Sequence, residues 1–382
     1  MKQLLVIAIA LASVNAFATR ARVSALGNAV QLIDTQTVLT NPADMMSMGD
    51  YANIESGTTA TTTYNSNTEG TVVRSYGNSK LGLTLGHQST NASAYSTGAA
   101  TPGLRFAASQ AFMTATFGGA GAGAGLATVK GQQNPVNIHY GTKMNDWALA
   151  GTLVYSNYND KNNDEKESSA GIRLGARNEA WDAKLGIGLG NTYENGTEKF
   201  SGTSGYSAGI GYKMEDWYFN AYIEAAGFKV EKAGTETAKL DYMSSALAAV
   251  KSHKVDGGNI FYGVTLAQDE RKFKLVSGAE VKQTALTLPI LVGFETEAAS
   301  WLTLRGSVSQ KTLINSSKAD VSGTTAQEFA PGANSTVAAI GAGLKFNKLT
   351  LDGSLQGLTG DTQTQDLNSN KLLSQVGITY LF

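Results

Sequence analysis

The 382-residue chain carries 30 Lys and Arg against 31 Asp and Glu, three histidines and no cysteine. A near-neutral balance without a block of like charge excludes a polyanion-binding protein, and the missing cysteines exclude disulfides, thiolate catalysis and cysteine-ligated metals. Glycine is high at 43 residues and proline low at 5, but 13 Phe, 15 Tyr and 4 Trp are too many aromatics for a disordered low-complexity chain.

The chain opens with Lys2, an apolar run over 4–14, and Ala16 and Ala18 flanking Phe17. These are the three parts of a secretory signal peptide, residues 1–18, with cleavage expected after Ala18. An apolar run of about 11 residues is too short to cross a bilayer as a helix, and no later run approaches the roughly 20 residues a helical span needs. Membrane residence therefore requires strands, because only a closed barrel satisfies every backbone group in lipid.

Residues 19–50 lack strand alternation and carry Arg20, Arg22, Ala25-Leu26-Gly27, Asp34 and Asn41-Pro42-Ala43. We expect a periplasmic arm or a plug, in which the charges of Arg20, Arg22 and Asp34, together with Asn41, Pro42 and Ala43, meet lumen residues of either sign, since a buried unpaired charge is costly. An arginine-containing start, a Leu-Gly turn, an Asp and then Asn-Pro-Ala resembles the N-terminal hatch of the FadL-type fatty-acid transporter group. That resemblance implies a plugged barrel that carries hydrophobic molecules.

From residue 51 to 382 the pattern is one of many strands. Val136, Ile138 and Tyr140 alternate with Asn137, His139 and Gly141; Ala170, Ile172 and Leu174 alternate with Gly171, Arg173 and Gly175. Such alternation suits a soluble sandwich as well as a barrel. The connections decide between them. Short turns at 144–146, 178–180, 214–216, 298–300 and 346–348 alternate with polar stretches at 159–167, 193–203, 230–256, 313–334 and 359–370, the arrangement of tight periplasmic turns and long external loops. Trp147, Trp181, Trp217 and Trp301 each follow a short turn. The first three are read as an aromatic girdle at the periplasmic interface, while Trp301 shares its phase with Thr303, Arg305 and Ser307 and is read as facing inward. The expected fold is an all-β transmembrane antiparallel barrel of 16–18 strands. The best count is eighteen, including strands at 108–117, 121–130, 257–268 and 271–282.

A barrel of that width is not filled by its own side chains. Its inward phase carries Lys143, Arg173, Arg177, Lys184, Lys213, Lys274 and Lys345, and on the acidic side Asp182, Glu224, Glu280, Glu295 and Asp352. They read as solvated pore-lining residues paired with one another rather than as an anion filter. Within 230–256, Leu240, Met243, Leu247 and Val250 form a helix-period stripe, expected as an inward constriction, an external lid or a contact with a neighbouring subunit. The glycine-rich run at 118–125 is not a phosphate loop, because no Gly-Lys-Ser/Thr follows it.

The last segment alternates Leu372, Val376, Ile378, Tyr380 and Phe382 with polar or small residues, and Tyr380 and Phe382 are read as a signal for the barrel assembly machinery. In size, leader, terminal Phe382 and layout the chain resembles the porin-like major outer-membrane proteins of predatory bdellovibrios, which implies homo-oligomers able to enclose outer-membrane lipid. The leading functional expectation is an outer-membrane channel for passive diffusion of small solutes. Alternatives are a FadL-like transporter of hydrophobic molecules, a structural barrel, and a barrel enzyme. The enzyme reading is disfavoured because His87, His139 and His253 do not converge in sequence pattern; no cofactor, metal or nucleic acid is expected.

Overall fold

The computed structural model describes residues 19–57, 68–87, 132–202, 205–275, 280–313, 317–321, 327–329, 335–360 and 373–382. After helix α1 (Arg20–Ala25) and two 3-10 turns (Thr37–Leu39 and Pro42–Ser47), every element among the described residues is a strand. These are β1 (Tyr51–Gly57), β2 (Glu69–Tyr76), β3 (Ser79–Leu85), β4 (Val136–Met144), β5 (Trp147–Asp160), β6 (Glu165–Arg177), β7 (Trp181–Asn195), β8 (Glu198–Gly202), β9 (Tyr206–Met214) and β10 (Trp217–Lys232). They continue with β11 (Thr235–Val255), β12 (Gly258–Leu275), β13 (Glu280–Ala299), β14 (Leu302–Leu313), β15 (Ser317–Val321), β16 (Gln327–Phe329), β17 (Ser335–Phe346), β18 (Leu349–Gly360) and β19 (Leu373–Leu381).

Sixteen of them close into an antiparallel barrel. The ring is completed where β1 meets β19, from Tyr51 opposite Leu381 to Gly57 opposite Gln375. The other three lengthen the wall. Strand β8 runs with β9 between β7 and β10, and the pair β15 and β16 continues the ladder of β13, β14 and β17. Tight turns join the strands at the periplasmic rim. Asn145, Glu215 and Asn347 sit there at positive φ, the backbone twist that short hairpins demand.

Alternating sequence becomes alternating exposure. On β4, Ile138 and Tyr140 are 51% and 53% exposed while Asn137 and His139 are 0% exposed. Each of the sixteen barrel strands turns a large apolar side chain outward, from Ile54 on β1 through Leu83, Leu153, Ile210, Leu247, Ile290 and Ile340 to Ile378 on β19. A belt of this extent far exceeds the few hundred Å² of apolar surface that a water-soluble monomer tolerates. Lipid is its solvent, and a closed barrel of even strand number with short periplasmic turns is the architecture of the Gram-negative outer membrane, where this chain resides.

Two expectations need correction, and another falls on residues outside the described ones. The strands placed at 108–117 and 121–130 lie outside the described residues, as do residues 1–18 and the run at 118–125, and the wall closes without them because β3 pairs directly with β4. The stretch 230–256 is not a loop: Thr235–Val255 is strand β11, hydrogen-bonded to neighbours on both sides. Its inward residues Ala246, Ala248 and Val250 are as apolar as its outward ones, so no polar-apolar alternation marked it. Finally, 257–268 and 271–282 are not two strands, since 258–275 is the single strand β12. Its charged run Asp269-Glu270-Arg271-Lys272 mimics a turn but continues the strand, paired with β11 on one side and β13 on the other.

Candidate functional site

The site is the lumen and the segment 19–50 that lies in it. Helix α1 is one and a half turns long and ends in two left-handed residues, Gly27 (φ 65) and Asn28 (φ 55), which reverse the chain as Asn28 N–H returns to Val23 O at 2.9 Å. Glycine suits position 27, where φ is positive and a Cβ would come within 2.6 Å of the Leu291 side chain on β13. Asp34 organises the next bend: its Oδ1 accepts from Thr35 Oγ1 (3.1 Å) and Gln36 N (3.3 Å), and its Oδ2 from Arg22 (2.9 Å). Burial pushes the Asp34 carboxyl up to about 6, with the Arg22 guanidinium pulling it back down. Asn41 then caps the second 3-10 turn, accepting from Ala43 N–H at 3.2 Å with Pro42 at the first position.

This insert touches the inner wall on opposite sides, as only a segment within the ring can. Arg20 pairs with Glu69 on β2 (2.5 Å), and Arg22 makes a two-bond fork with Glu295 on β13 (2.8 and 2.8 Å). Asp44 meets Arg177 on β6 (2.8 Å), which also reaches Asp182 on β7 (3.7 Å). Arg305 on β14 links Glu295 (2.7 Å) to Asp352 on β18 (2.5 Å). Gln36 bridges Glu55 (2.9 Å) and Glu69 (2.5 Å). Asn41, Ala43 and Pro42 are all buried.

Apolar contact completes the seat. Val38, Ala43, Met45, Met46 and Met48 cluster with Tyr51, Val73 and Ala148, and Leu26 and Ala29 with Val250 and Phe261. Four wall glycines make room. A Cβ at Gly141, Gly175, Gly341 or Gly377 would collide with Met45, Asn41, Ala25 or Thr19 respectively. Sequence reasoning missed these glycines, although their signal was present: each falls on the inward phase of a strand, where a polar side chain was expected.

Among the pore-lining positions read from the sequence, Arg173, Asp182, Glu224 and Asp352 are buried on the inner face, and Arg177, Lys184 and Glu295 are partly buried there. The Lys184 ammonium stands 5.9 Å from the Tyr222 ring centre. Lys143, Lys213 and Lys345 share the inward phase at the periplasmic ends of their strands, the first two exposed and Lys345 half-buried. Lys274 and Glu280 do not line the lumen. Lys274 shares the outward phase of Ile260, Tyr262 and Leu266, and Glu280 that of Ile290 and Val292, where it pairs with Lys272 at 3.0 Å. They stand on the tall part of the wall, where polarity no longer reports which way a side chain faces.

Trp147, Trp181 and Trp217 begin β5, β7 and β10; Trp147 and Trp181 are exposed, Trp181 packing 4.3 Å from Tyr212, and Trp217 stacks 6.0 Å from Phe219. Trp301 sits in the turn before β14, 52% exposed, and not on an inward strand position. Tyr380 and Phe382 stack at 6.2 Å on the outer surface. His253 is on β11 rather than in a loop, facing outward beside Tyr262. On the inner wall a chain of hydrogen bonds joins Thr71, Thr84, His139 and Thr152 at 2.8, 2.9 and 2.7 Å, while His87 bonds Glu69 at 2.7 Å.

No family model and no curated protein matches the chain. Among solved structures it is similar to the CymD monoaromatic hydrocarbon channel, with 10% identity, 97% of this chain and 99% of that chain covered, and a TM-score of 0.43. It is also similar to a Pseudomonas aeruginosa FadL homologue (11% identity, 95% and 97% covered, TM-score 0.46) and to a bacterial polysaccharide outer membrane secretin (6%, 87% and 98%, 0.45). The barrel assignment rests on the strand ladder of this chain itself.

Proposed function

We propose that the chain is an outer-membrane channel for small solutes whose lumen is narrowed on the periplasmic side by residues 19–50. One observation carries this reading: a segment held by ion pairs and hydrogen bonds bridges opposite sides of a sixteen-stranded lumen that is too wide to be filled by its own wall. Its contacts lie close to the short turns, as with Arg177 and Asp182 flanking the turn between β6 and β7. A seat made largely of charge pairs is releasable, unlike a fused apolar core.

A second reading, carriage of apolar molecules in the manner of the FadL-type group, is favoured by the inner face of β11 and β12. There Ala246, Ala248, Val250, Phe261 and Ala267 replace the polar lining found on β1–β6. Single-channel conductance in a planar bilayer tests the proposal by comparing the intact chain with one in which the leader joins directly at Asp50. A clear rise on deletion supports a narrowed channel. Unchanged conductance with a formed barrel refutes it, and a silent intact protein that binds a long-chain fatty acid replaces it with the second reading.

A further inference from the structure

Strand register sets Glu69 of β2 opposite Glu55 of β1, Glu55 opposite Gly377 of β19, and Gly377 opposite Asp352 of β18. Across the joint between first and last strands the lumen face therefore reads carboxylate, carboxylate, gap, carboxylate. Thr19 occupies the gap. It is 0% exposed, and its side chain lies where a Cβ on Gly377 would have to be.

The charges around Thr19 are unequal. Glu69 has the Arg20 guanidinium and His87, and Asp352 shares Arg305 with Glu295. Glu55, almost fully buried, is held directly by neutral donors: the Arg20 backbone N–H (2.7 Å), Gln36 Nε2 (2.9 Å) and Asn53 Nδ2 (2.7 Å). On the other side of the gap, Asp352 Oδ2 is buried without a hydrogen-bond partner among the described residues. Buried carboxylates in this situation are costly unless a cation stands near them.

We propose that the cation is the α-ammonium group of Thr19, and that removal of the leader after Ala18 is what locks the insert across the barrel joint. A signal peptidase hydrolyses the Ala18–Thr19 amide: water supplies the hydroxyl that leaves with the Ala18 carboxyl and the proton that leaves with the Thr19 amine. That amine is largely protonated at neutral pH and becomes more so between carboxylates. Covalent geometry keeps Thr19 N within about 4 Å of Arg20 N, which itself lies 2.7 Å from Glu55. An unprocessed chain has an uncharged amide N–H at the same place. Processing thus adds one positive charge where the row of carboxylates lacks one.

The test compares two exported chains: the native junction, and one with Gly-Ser-Gly inserted between Ala18 and Thr19 so that processing leaves the amine three residues from the joint. Intact mass fixes each mature start, trypsin cleavage after Arg20 and Arg22 reads release of the insert, and the gel shift between boiled and unboiled protein reads the barrel. The native chain should resist trypsin, and the extended chain should be cut about tenfold faster or more, with an unchanged gel shift. In a Glu55→Gln/Asp352→Asn background the extension should change the rate by less than about twofold, since the charge then has nothing to meet. Equal resistance of native and extended chains overturns the proposal. So does an undiminished effect in the double variant, or a mature start other than Thr19. If the tripeptide lowers barrel yield, a single Gly at the same junction replaces it. Trypsin reads docking whether or not the barrel conducts, so this outcome is separate from that of the channel reading.

Discussion

Replacing Arg22 with Ala probes the seat of the insert most directly. Arg22 gives two bonds to Glu295 and one to Asp34, and Glu295 retains Arg305 at 2.7 Å after the loss. The larger penalty therefore falls on Asp34, which is fully buried. Stripping a buried carboxylate of its partner costs about 3–5 kcal/mol. The lower end shifts the docked-to-free ratio of the insert by on the order of a hundredfold. Because the chain has no cysteine, Ala29→Cys, at a site 6% exposed against Val250 and Phe261, gives a single thiol whose labelling rate reports release. Adding Arg22→Ala should speed labelling by about a hundredfold relative to the Ala29→Cys parent, each rate divided by that of the unfolded chain. The pH dependence has a definite sign. The Asp34 carboxyl is pushed up to about 6 in the docked state, above its free value of about 3.9, so its penalty on docking is full above the docked value and is relieved as pH falls through it. Loss of Arg22 raises that value further, so labelling of the variant should slow from pH 8 to pH 5, and adding Asp34→Asn should remove the slope. Labelling within about threefold of the parent at pH 7, with the barrel intact, would refute the reasoning.

Gly175→Leu should expel the insert, because even one added carbon there collides with Asn41 and Ala43; labelling of the thiol introduced by Ala29→Cys should rise while the gel shift persists, and in a chain lacking residues 19–49 the same substitution should leave the single-channel conductance unchanged. Tyr380→Ser with Phe382→Ser removes the last two outward aromatics of the closing segment, 45% and 46% exposed to lipid, and should lower the amount of folded protein in outer-membrane fractions. Normal yield of that double variant would count against an assembly role for the terminal aromatics.

Where lipid and water lie on opposite faces, the fold was legible residue by residue: Ile138 against His139 and Ile172 against Arg173 were placed by alternation alone. The reading failed where that contrast vanishes. On β11, Val250 packs against Leu26 and Ala29 of the insert and the inward Ala246 and Ala248 are apolar too, so both phases look alike. On β12 and β13 charged residues also stand on the outward phase, as Lys272, Lys274 and Glu280 do, which is why Asp269-Glu270 passed for a turn and Lys274 and Glu280 for pore residues. Arg20, Arg22, Asp34 and Asn41 stood out as polar residues in a segment without strand pattern. Of their partners, Glu295 was read as a lumen residue and Glu69 was not, and which residue pairs with which is set only when β1 meets β19 and the ring closes around the insert.

The four glycines beneath the insert also bear on how such barrels diverge. Each glycine in a strand interior costs roughly 0.5–1 kcal/mol relative to alanine, so Gly141, Gly175, Gly341 and Gly377 leave an unoccupied wall weaker than its strand length suggests. A lineage that lost the N-terminal segment would gain by filling these positions, and once filled they would bar the segment's return. Small residues at these inward places therefore serve as a fossil imprint: a related barrel that keeps them retains a docked terminus, and one that has enlarged them has gone over to an open bore.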